Sequence, residues 1–134
     1  MEQVHDTVLL IDDDPFFLKV MGDAFTQGGF DVVTANSGDE GIIAFVKHQP
    51  AVVVSDLIMP GKGGVGTCLE ITRLAGERQP IMILLTSMFD EPPHRHAIPE
   101  MGASVHIPKS TPPPDVVAIV GQLLKRARGG AAPA

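Results

Sequence analysis

The sequence predicts an α/β fold in which helices cover both faces of a parallel sheet of five strands. Short apolar runs rich in β-branched residues alternate along the chain with longer segments whose apolar residues recur at helical spacing. Apolar runs without alternating polar residues are typical of a sheet that is buried on both faces, as in a doubly wound domain. The predicted strands are residues 7–11, 30–35, 51–56, 80–85 and 104–107.

The first predicted strand ends in three acids, Asp12, Asp13 and Asp14, and a helix follows them. Asp14 can cap this helix because its side chain can accept a hydrogen bond from the first turn. Pro15 suits that turn because no backbone donor is needed there. Apolar residues then recur at helical spacing until Gly28, where we expect the helix to end.

A capping box predicts the second helix, with Ser37 at its amino end and Glu40 three residues later. We expect its apolar side to be formed by Ile42, Ile43, Phe45 and Val46. The third strand stops at one carboxylate, Asp56, and a glycine-rich loop at residues 60–64 leads to the third helix. The glycines do not have the spacing of a phosphate-binding loop, so we interpret them as a flexible turn.

Polar residues also follow the last two strands. Thr86 and Ser87 come after the fourth, and Lys109 comes after the fifth. The final helix begins after three consecutive prolines, and basic residues at its end complement the helix dipole. Its predicted core face consists of Val116, Val117, Ile119, Val120, Leu123 and Leu124.

The composition narrows the class of protein. A chain of 134 residues, of which 44% are hydrophobic, suits one globular domain. Its net charge of −6 disfavours direct contact with nucleic acid, because phosphate contacts need clustered Lys and Arg. The sequence shows no membrane span and no basic signal region, so we expect a cytoplasmic protein without membrane insertion. Cys68 is the only cysteine and is interpreted as a buried apolar residue.

The carboxyl ends of the strands bring the candidate functional residues together. In the flavodoxin-like strand order 2-1-3-4-5 the first and third strands are neighbours, so Asp12, Asp13 and Asp56 would crowd one pocket. Such close negative charges need a cation or a proton on one carboxyl group, and Mg²⁺ suits oxygen ligands of this kind. Thr86 and Lys109 add donors for an anionic group. These residues suit phosphoryl transfer to a carboxylate, with Asp56 as the candidate nucleophile.

Four motifs, in order, resemble those of the receiver domains of bacterial two-component response regulators. They are the first strand with its acids at residues 8–15, the segment at residues 55–61, Leu85-Thr86-Ser87, and Gly102-Ala103-Ser104 followed by Lys109. The resemblance covers residues 7–126, which we take as the receiver domain. We expect residues 127–134 to form a disordered tail.

The resemblance implies that Asp56 accepts a phosphoryl group from a sensor histidine kinase or a phosphotransfer protein. It also implies that Mg²⁺ is ligated by Asp13, Asp56 and the carbonyl of Ile58, while Asp12 holds a metal-bound water. The cofactor expected from the resemblance is therefore Mg²⁺.

The resemblance further implies that Thr86 contacts the phosphoryl oxygens and that Lys109 pairs with them. On this basis we expect a stand-alone response regulator that accepts phosphate without being a turnover enzyme. Phosphorylation would change a surface that binds an unidentified downstream protein. Homodimerisation is one form that this response could take.

Three features differ from the usual receiver pattern. Ser110 follows Lys109 where the family usually has proline, and His106 stands where the family usually has an aromatic switch residue. Three prolines interrupt residues 90–100, where the fourth helix belongs. Because proline removes a backbone donor and clashes with the preceding turn, we expect this helix to be shortened or distorted.

Two other functions remain open. A degenerate receiver that acts as a phosphorylation-independent protein-docking module would keep the same fold, although the presence of the acids, Thr86 and Lys109 favours active chemistry. A phosphohydrolase of the haloacid type also uses an aspartate nucleophile, but it needs a second acid two residues later, where this chain has Ile58. Turnover of a phosphate ester would distinguish that enzyme from a stoichiometric phosphoryl acceptor.

Overall fold

The structure is a computed structural model that describes residues 5–57, 63–86 and 105–130. Its strands are β1 (Thr7–Ile11), β2 (Asp31–Ala35), β3 (Val52–Asp56), β4 (Ile81–Thr86) and β5 (Val105–Pro108). Its helices are α1 (Pro15–Gln27), α2 (Gly38–His48), α3 (Gly63–Ala75) and α4 (Pro113–Lys125), followed by an irregular turn at Arg126–Gly130. Within these ranges, each helix is too short or too polar to cross a membrane.

All five strands are parallel and lie in the order β2-β1-β3-β4-β5. This order confirms the predicted doubly wound, flavodoxin-like architecture, and every strand lies within one residue of its predicted ends. His106 lies half-buried in β5. The predicted shortening or distortion of a helix between β4 and β5 concerns residues 87–104, which lie outside the described residues.

The sheet has a separate apolar core on each face, because successive side chains of a strand point to opposite sides. Val52 and Val54 of β3 belong to the core formed with α1 and α4, whereas Val53 belongs to the core formed with α2 and α3. All three valines are buried. The continuous apolar run that predicted a strand covered on both faces is therefore confirmed.

The predicted helix caps are also present. The Asp14 side chain accepts a hydrogen bond from the Phe16 backbone at 3.0 Å, and the Ser37 hydroxyl accepts one from the Glu40 backbone at 3.1 Å. The Glu40 carboxylate accepts a hydrogen bond from the backbone of Asn36 at 3.2 Å. These caps fix where α1 and α2 begin, and α1 begins three residues after Asp12, the first acid beyond β1.

The apolar sides predicted for the helices are wider than the stripes that the fold buries. In α2, Phe45 is buried and Ile42 is half-buried, whereas Ile43 and Val46 are 67% and 55% exposed. In α4, Ile119 is 37% exposed. A helix on the face of a sheet buries only the stripe that contacts the strands and the neighbouring helix, so apolar residues beside that stripe stay in solvent.

The chain beyond α4 is joined to the residue before β1. The Arg128 guanidinium donates two hydrogen bonds to the Asp6 carboxylate, at 3.0 and 2.5 Å, which is the two-pronged geometry that arginine makes with carboxylates. The domain boundary at residue 126 and the disordered tail stay predictions, since residues 131–134 lie outside the described part of the chain.

Replacing Arg128 with Met should lower the free energy of unfolding at pH 7 by less than about 1 kcal/mol, because both partners are partly exposed and water screens the pair. The hydrogen bonds from Arg128 hold the pKa of Asp6 below its ordinary value of 3.8. The pair therefore stabilises the fold above pH 3.8, and that contribution is lost as the pH falls through the lowered pKa of the folded state.

Urea unfolding of the two proteins at neutral and at acidic pH checks this prediction. We expect the stabilities to converge in acid. Arg126→Met, which removes the same charge two residues earlier, is the matched control. A stability difference for Arg128→Met that does not change with pH would contradict the assigned ion pair.

Candidate functional site

The carboxyl edge of the sheet gathers the three predicted acids. Asp12 and Asp13 follow β1, and Asp56 is the last residue of β3, where Ile11 of β1 is in register with Ser55. One carboxylate oxygen from each acid lies within 4.8 Å of those from the other two. The crowding arises because neighbouring parallel strands end side by side.

The three acids differ in burial. Asp12 is 1% exposed and Asp56 is 8% exposed, whereas Asp13 is exposed to solvent. Burial raises the pKa of Asp12, although a backbone hydrogen bond from Asp14 at 2.9 Å and the charge of Lys109 act in the opposite direction. Loss of water disfavours the charged form of a carboxyl group, whereas a positive charge close to Asp12 favours it.

Lys109 supplies one such charge. Its ammonium nitrogen lies 3.0 Å from Oδ2 of Asp12 and 3.2 Å from Oδ2 of Asp56. Partial burial opposes the charge of Lys109, but the two carboxylates outweigh that cost and raise its pKa above the ordinary value. The ammonium group therefore bridges the ends of two adjacent strands from a position just beyond β5.

Asp12 Oδ2 is buried and, among the described residues, receives no hydrogen bond of good alignment. The Lys109 ammonium lies 3.0 Å from this oxygen and is its ion-pair partner. An incompletely satisfied buried oxygen of this kind is suited to a further cationic partner or to a metal-bound water.

Thr86 ends β4, one residue beyond Leu85, which is the partner of Asp56 in the strand register. The carbonyl of Thr86 accepts a hydrogen bond from the backbone of Lys109 at 2.6 Å. The structure thus places Thr86 at the same edge as the acids and links its backbone directly to that of Lys109. Ile58 and Ser87 lie outside the described residues.

Sequence reasoning missed two residues of this site. The Lys109 ammonium lies 4.7 Å from the centroid of the Phe17 ring. Phe17 is one of the apolar residues whose helical spacing predicted α1, and that spacing does not indicate a contact with Lys109. Gly64 was interpreted as part of a flexible turn, which is wrong, because it lies in the first turn of α3. A Cβ atom on Gly64 would lie 1.9 Å from the carbonyl oxygen of Asp56. Nothing in the local sequence distinguishes Gly64 from the glycines around it.

The chemistry of this donor set fits a hard divalent cation. The three clustered side chains offer only carboxylate oxygens, which are the ligands that Mg²⁺ prefers. Lys109 balances one of the three negative charges, and a divalent cation would balance the other two. The exposed Asp13 leaves one side of the cluster in contact with solvent, so metal-bound waters could remain there.

Comparisons with known proteins agree on a family. Residues 8–121 match the family model described as response regulator receiver domain. The "Probable transcriptional regulator ycf27" of Porphyra purpurea is 32% identical over 127 residues, covering 95% of this chain and 51% of that protein. The "Transcriptional regulatory protein GlrR" of Escherichia coli is 39% identical over 77 residues, covering 58% of this chain and 17% of that protein. The chain therefore spans about half the length of the ycf27 regulators that it matches.

Solved structures share the fold. The chemotaxis protein CheY4 of Vibrio cholerae superimposes with a TM-score of 0.81 at 19% identity, covering 89% of this chain and 98% of that chain. A response regulator receiver domain protein from Clostridium thermocellum has a TM-score of 0.81 at 24% identity, with coverages of 92% and 97%. At these identities the likeness shows the fold alone.

Proposed function

Because this chain belongs to the response regulator receiver domain family, we propose that Asp56 accepts a phosphoryl group and that this modification switches a partner-binding surface. The observation that carries the proposal is the position of the Asp56 carboxylate. It lies at the end of β3, in one cluster with Asp12 and Asp13, and 3.2 Å from the Lys109 ammonium. A nucleophilic carboxylate needs this kind of charge compensation when a phosphoryl group approaches.

In the proposed reaction a carboxylate oxygen of Asp56 attacks the phosphorus atom, and the bond from phosphorus to the donor breaks as the new bond forms. The donor is a phosphohistidine of a sensor histidine kinase or phosphotransfer protein, and its imidazole is the leaving group. The product is an acyl phosphate on Asp56. The chain accepts one phosphoryl group and does not turn over a substrate.

We propose that Asp13, Asp56 and the carbonyl of Ile58 would ligate Mg²⁺ and that Asp12 would hold a water bound to it. When bound, this ion neutralises negative charge on the phosphoryl oxygens. Lys109 is near enough to Asp56 to pair with those oxygens. Thr86, at the end of the adjacent strand, is the proposed hydroxyl donor to them.

The hydrogen bond between the backbones of Lys109 and Thr86 suggests how phosphorylation of Asp56 could change the neighbouring surface. In the unphosphorylated structure the Lys109 ammonium pairs with both Asp12 and Asp56. Phosphorylation adds negative charge at Asp56 and so strengthens the attraction of Lys109 to that residue relative to Asp12. Because the Lys109 backbone donates to the Thr86 carbonyl at 2.6 Å, a shift of either residue moves the other. The ends of β4 and β5 would therefore respond together and present a changed surface to a downstream protein.

Incubation with acetyl phosphate, with and without Mg²⁺, tests this function. Intact mass spectrometry should show the addition of one phosphoryl group that depends on Mg²⁺. Release of product from p-nitrophenyl phosphate in the same buffer would instead indicate a phosphohydrolase. Absence of phosphoryl uptake from both acetyl phosphate and a phosphorylated histidine phosphotransfer protein would favour a docking module.

Asp13→Ala should weaken Mg²⁺ binding by about tenfold or more, because it removes one of the few charged ligands that can displace water from this ion. The chain contains neither Trp nor Tyr, so isothermal titration calorimetry is a better measurement than intrinsic fluorescence. Asp23→Ala is the matched control, since Asp23 is an exposed acid that pairs with Lys19 on α1. Equal Mg²⁺ affinities in Asp13→Ala and the wild type would remove Asp13 from the ligand set.

A further inference from the structure

The Phe17 ring occupies a position that neither the family match nor the proposed ligand set explains. Phe17 lies in the first turn of α1 and packs, half-buried, against the core that α1 and α4 form with the sheet. Its ring centroid is 4.7 Å from the Lys109 ammonium nitrogen, which is within the range of a cation–π interaction. The aromatic face is thus part of the surroundings of the charge that compensates Asp56.

An ammonium group has three N–H donors and no acceptor. In this structure the Lys109 ammonium meets Asp12 at 3.0 Å, Asp56 at 3.2 Å, and the negative face of the Phe17 ring. The Lys109 side chain is only 28% exposed, so water provides a small part of its surroundings. The cation–π attraction of the ring stabilises the ammonium group in the position where it also contacts the two carboxylates.

The ring is well placed to act as a fixed support. Asp14 caps α1, and Pro15 begins the helix, so the backbone at Phe17 is fixed within the first turn. Contact with the apolar core limits rotation of the side chain. The adjacent Phe16 differs sharply, because it is 74% exposed.

We propose that Phe17 is a positioning residue for Lys109, whose ammonium group it holds against the carboxylates of Asp12 and Asp56 through the face of its ring. The consequence for phosphorylation rests on the proposed function of Asp56. With the ring present, the ammonium group already lies where the incoming phosphoryl oxygens need a positive charge. Without the ring, the Lys109 side chain adopts other orientations as well. The ammonium group is then beside Asp56 in a smaller fraction of the encounters with a phosphoryl donor.

The first experiment measures how accessible the Lys109 ammonium group is to a reagent, and it does not depend on phosphorylation. The full chain, free of Mg²⁺, is acetylated briefly with N-hydroxysuccinimidyl acetate, and the labelling of Lys109 relative to Lys47 is read by peptide mass spectrometry. Phe17→Leu keeps an apolar side chain but removes the ring, and it should raise Lys109 labelling by about three- to tenfold. Phe17→Tyr keeps a ring face, so its Lys109 labelling should be near the wild-type level. Phe16→Leu should also leave Lys109 labelling unchanged.

The second experiment measures the consequence for the reaction. The rate of phosphoryl uptake from acetyl phosphate at saturating Mg²⁺ should fall about three- to tenfold in Phe17→Leu. The same substitution made in a Lys109→Met background should have no further effect, because the ring acts through the ammonium group. Thermal unfolding of each variant shows whether it is folded, and Phe17→Met, which also lacks the ring, takes the place of Phe17→Leu if that variant unfolds.

The two measurements separate the positioning role from the proposed function. Wild-type protein that takes up no phosphoryl group would refute the proposed function, while the labelling experiment would still decide whether Phe17 holds Lys109. Equal Lys109 labelling in Phe17→Leu and wild type would overturn the positioning role. If Phe17→Leu slowed phosphoryl uptake as much in the Lys109→Met background as in the wild type, the positioning role would be overturned as well. The ring would then act on the rate by a route other than Lys109.

Discussion

Asp56→Asn should take up no phosphoryl group from acetyl phosphate and Mg²⁺ under conditions in which the wild-type chain gains one. The substitution keeps the size and shape of the side chain but replaces the nucleophilic carboxylate with an amide. It also removes one of the two carboxylates that lie beside the Lys109 ammonium. Intact mass spectrometry over a time course measures the result directly.

Asp23→Asn is the matched control for this experiment, because it makes the same chemical change at an exposed acid on α1. It should be phosphorylated at the wild-type rate. Thermal unfolding of Asp56→Asn confirms that a loss of labelling is not a loss of the fold. Phosphoryl uptake that persists in the folded Asp56→Asn protein would show that another group, with Asp13 or Asp12 as the first to test, is the acceptor.

Gly64→Ala should destabilise the protein by about 3 kcal/mol. The added Cβ atom would lie 1.9 Å from the carbonyl oxygen of Asp56 and 2.7 Å from both the Cα atom and the carbonyl oxygen of Leu57. These are backbone atoms, so no side chain can rotate to relieve the overlap. Either the first turn of α3 or the end of β3 must move, and the second movement displaces the proposed nucleophile.

The hydrogen bond from the Gly64 backbone to the Leu57 carbonyl, at 3.0 Å, would be disturbed by the same displacement. Chemical denaturation measures the loss of stability. Gly121→Ala is the control, because a Cβ atom there meets nothing within 4 Å and α4 should gain up to about 1 kcal/mol from the better helix former. Gly64→Ala that is as stable as the wild type, and phosphorylated as fast, would contradict the close approach of α3 to β3.

The burial of helix residues shows where reasoning from sequence reached its limit. Ile43 and Val46 were expected on the apolar side of α2, yet both are more than half exposed. Their spacing is compatible with a helix, which is a local property, and the helix is present. Which part of the helix surface is covered depends on the neighbours that the fold brings to it.

The sequence by itself determined the strands, their parallel arrangement and the acids at their ends. Strand and helix periods are local, and the backbone must satisfy its hydrogen bonds within a few architectures, so short patterns were sufficient. The meeting of Asp12 and Asp56 followed from the strand order. The family resemblance implied that Lys109 pairs with the phosphoryl oxygens, and the structure adds the ion pair of Lys109 with Asp56 itself.

Only the tertiary structure decided three contacts: the Phe17 ring against Lys109, Gly64 against the end of β3, and Arg128 against Asp6. Each joins segments that are separate in the chain, and Asp6 and Arg128 are 122 residues apart. Apolar spacing, a glycine-rich loop and an arginine beyond the last helix are compatible with many partners. The partner is selected by close packing and charge neutralisation in the folded molecule, which act between residues brought together only when the chain folds.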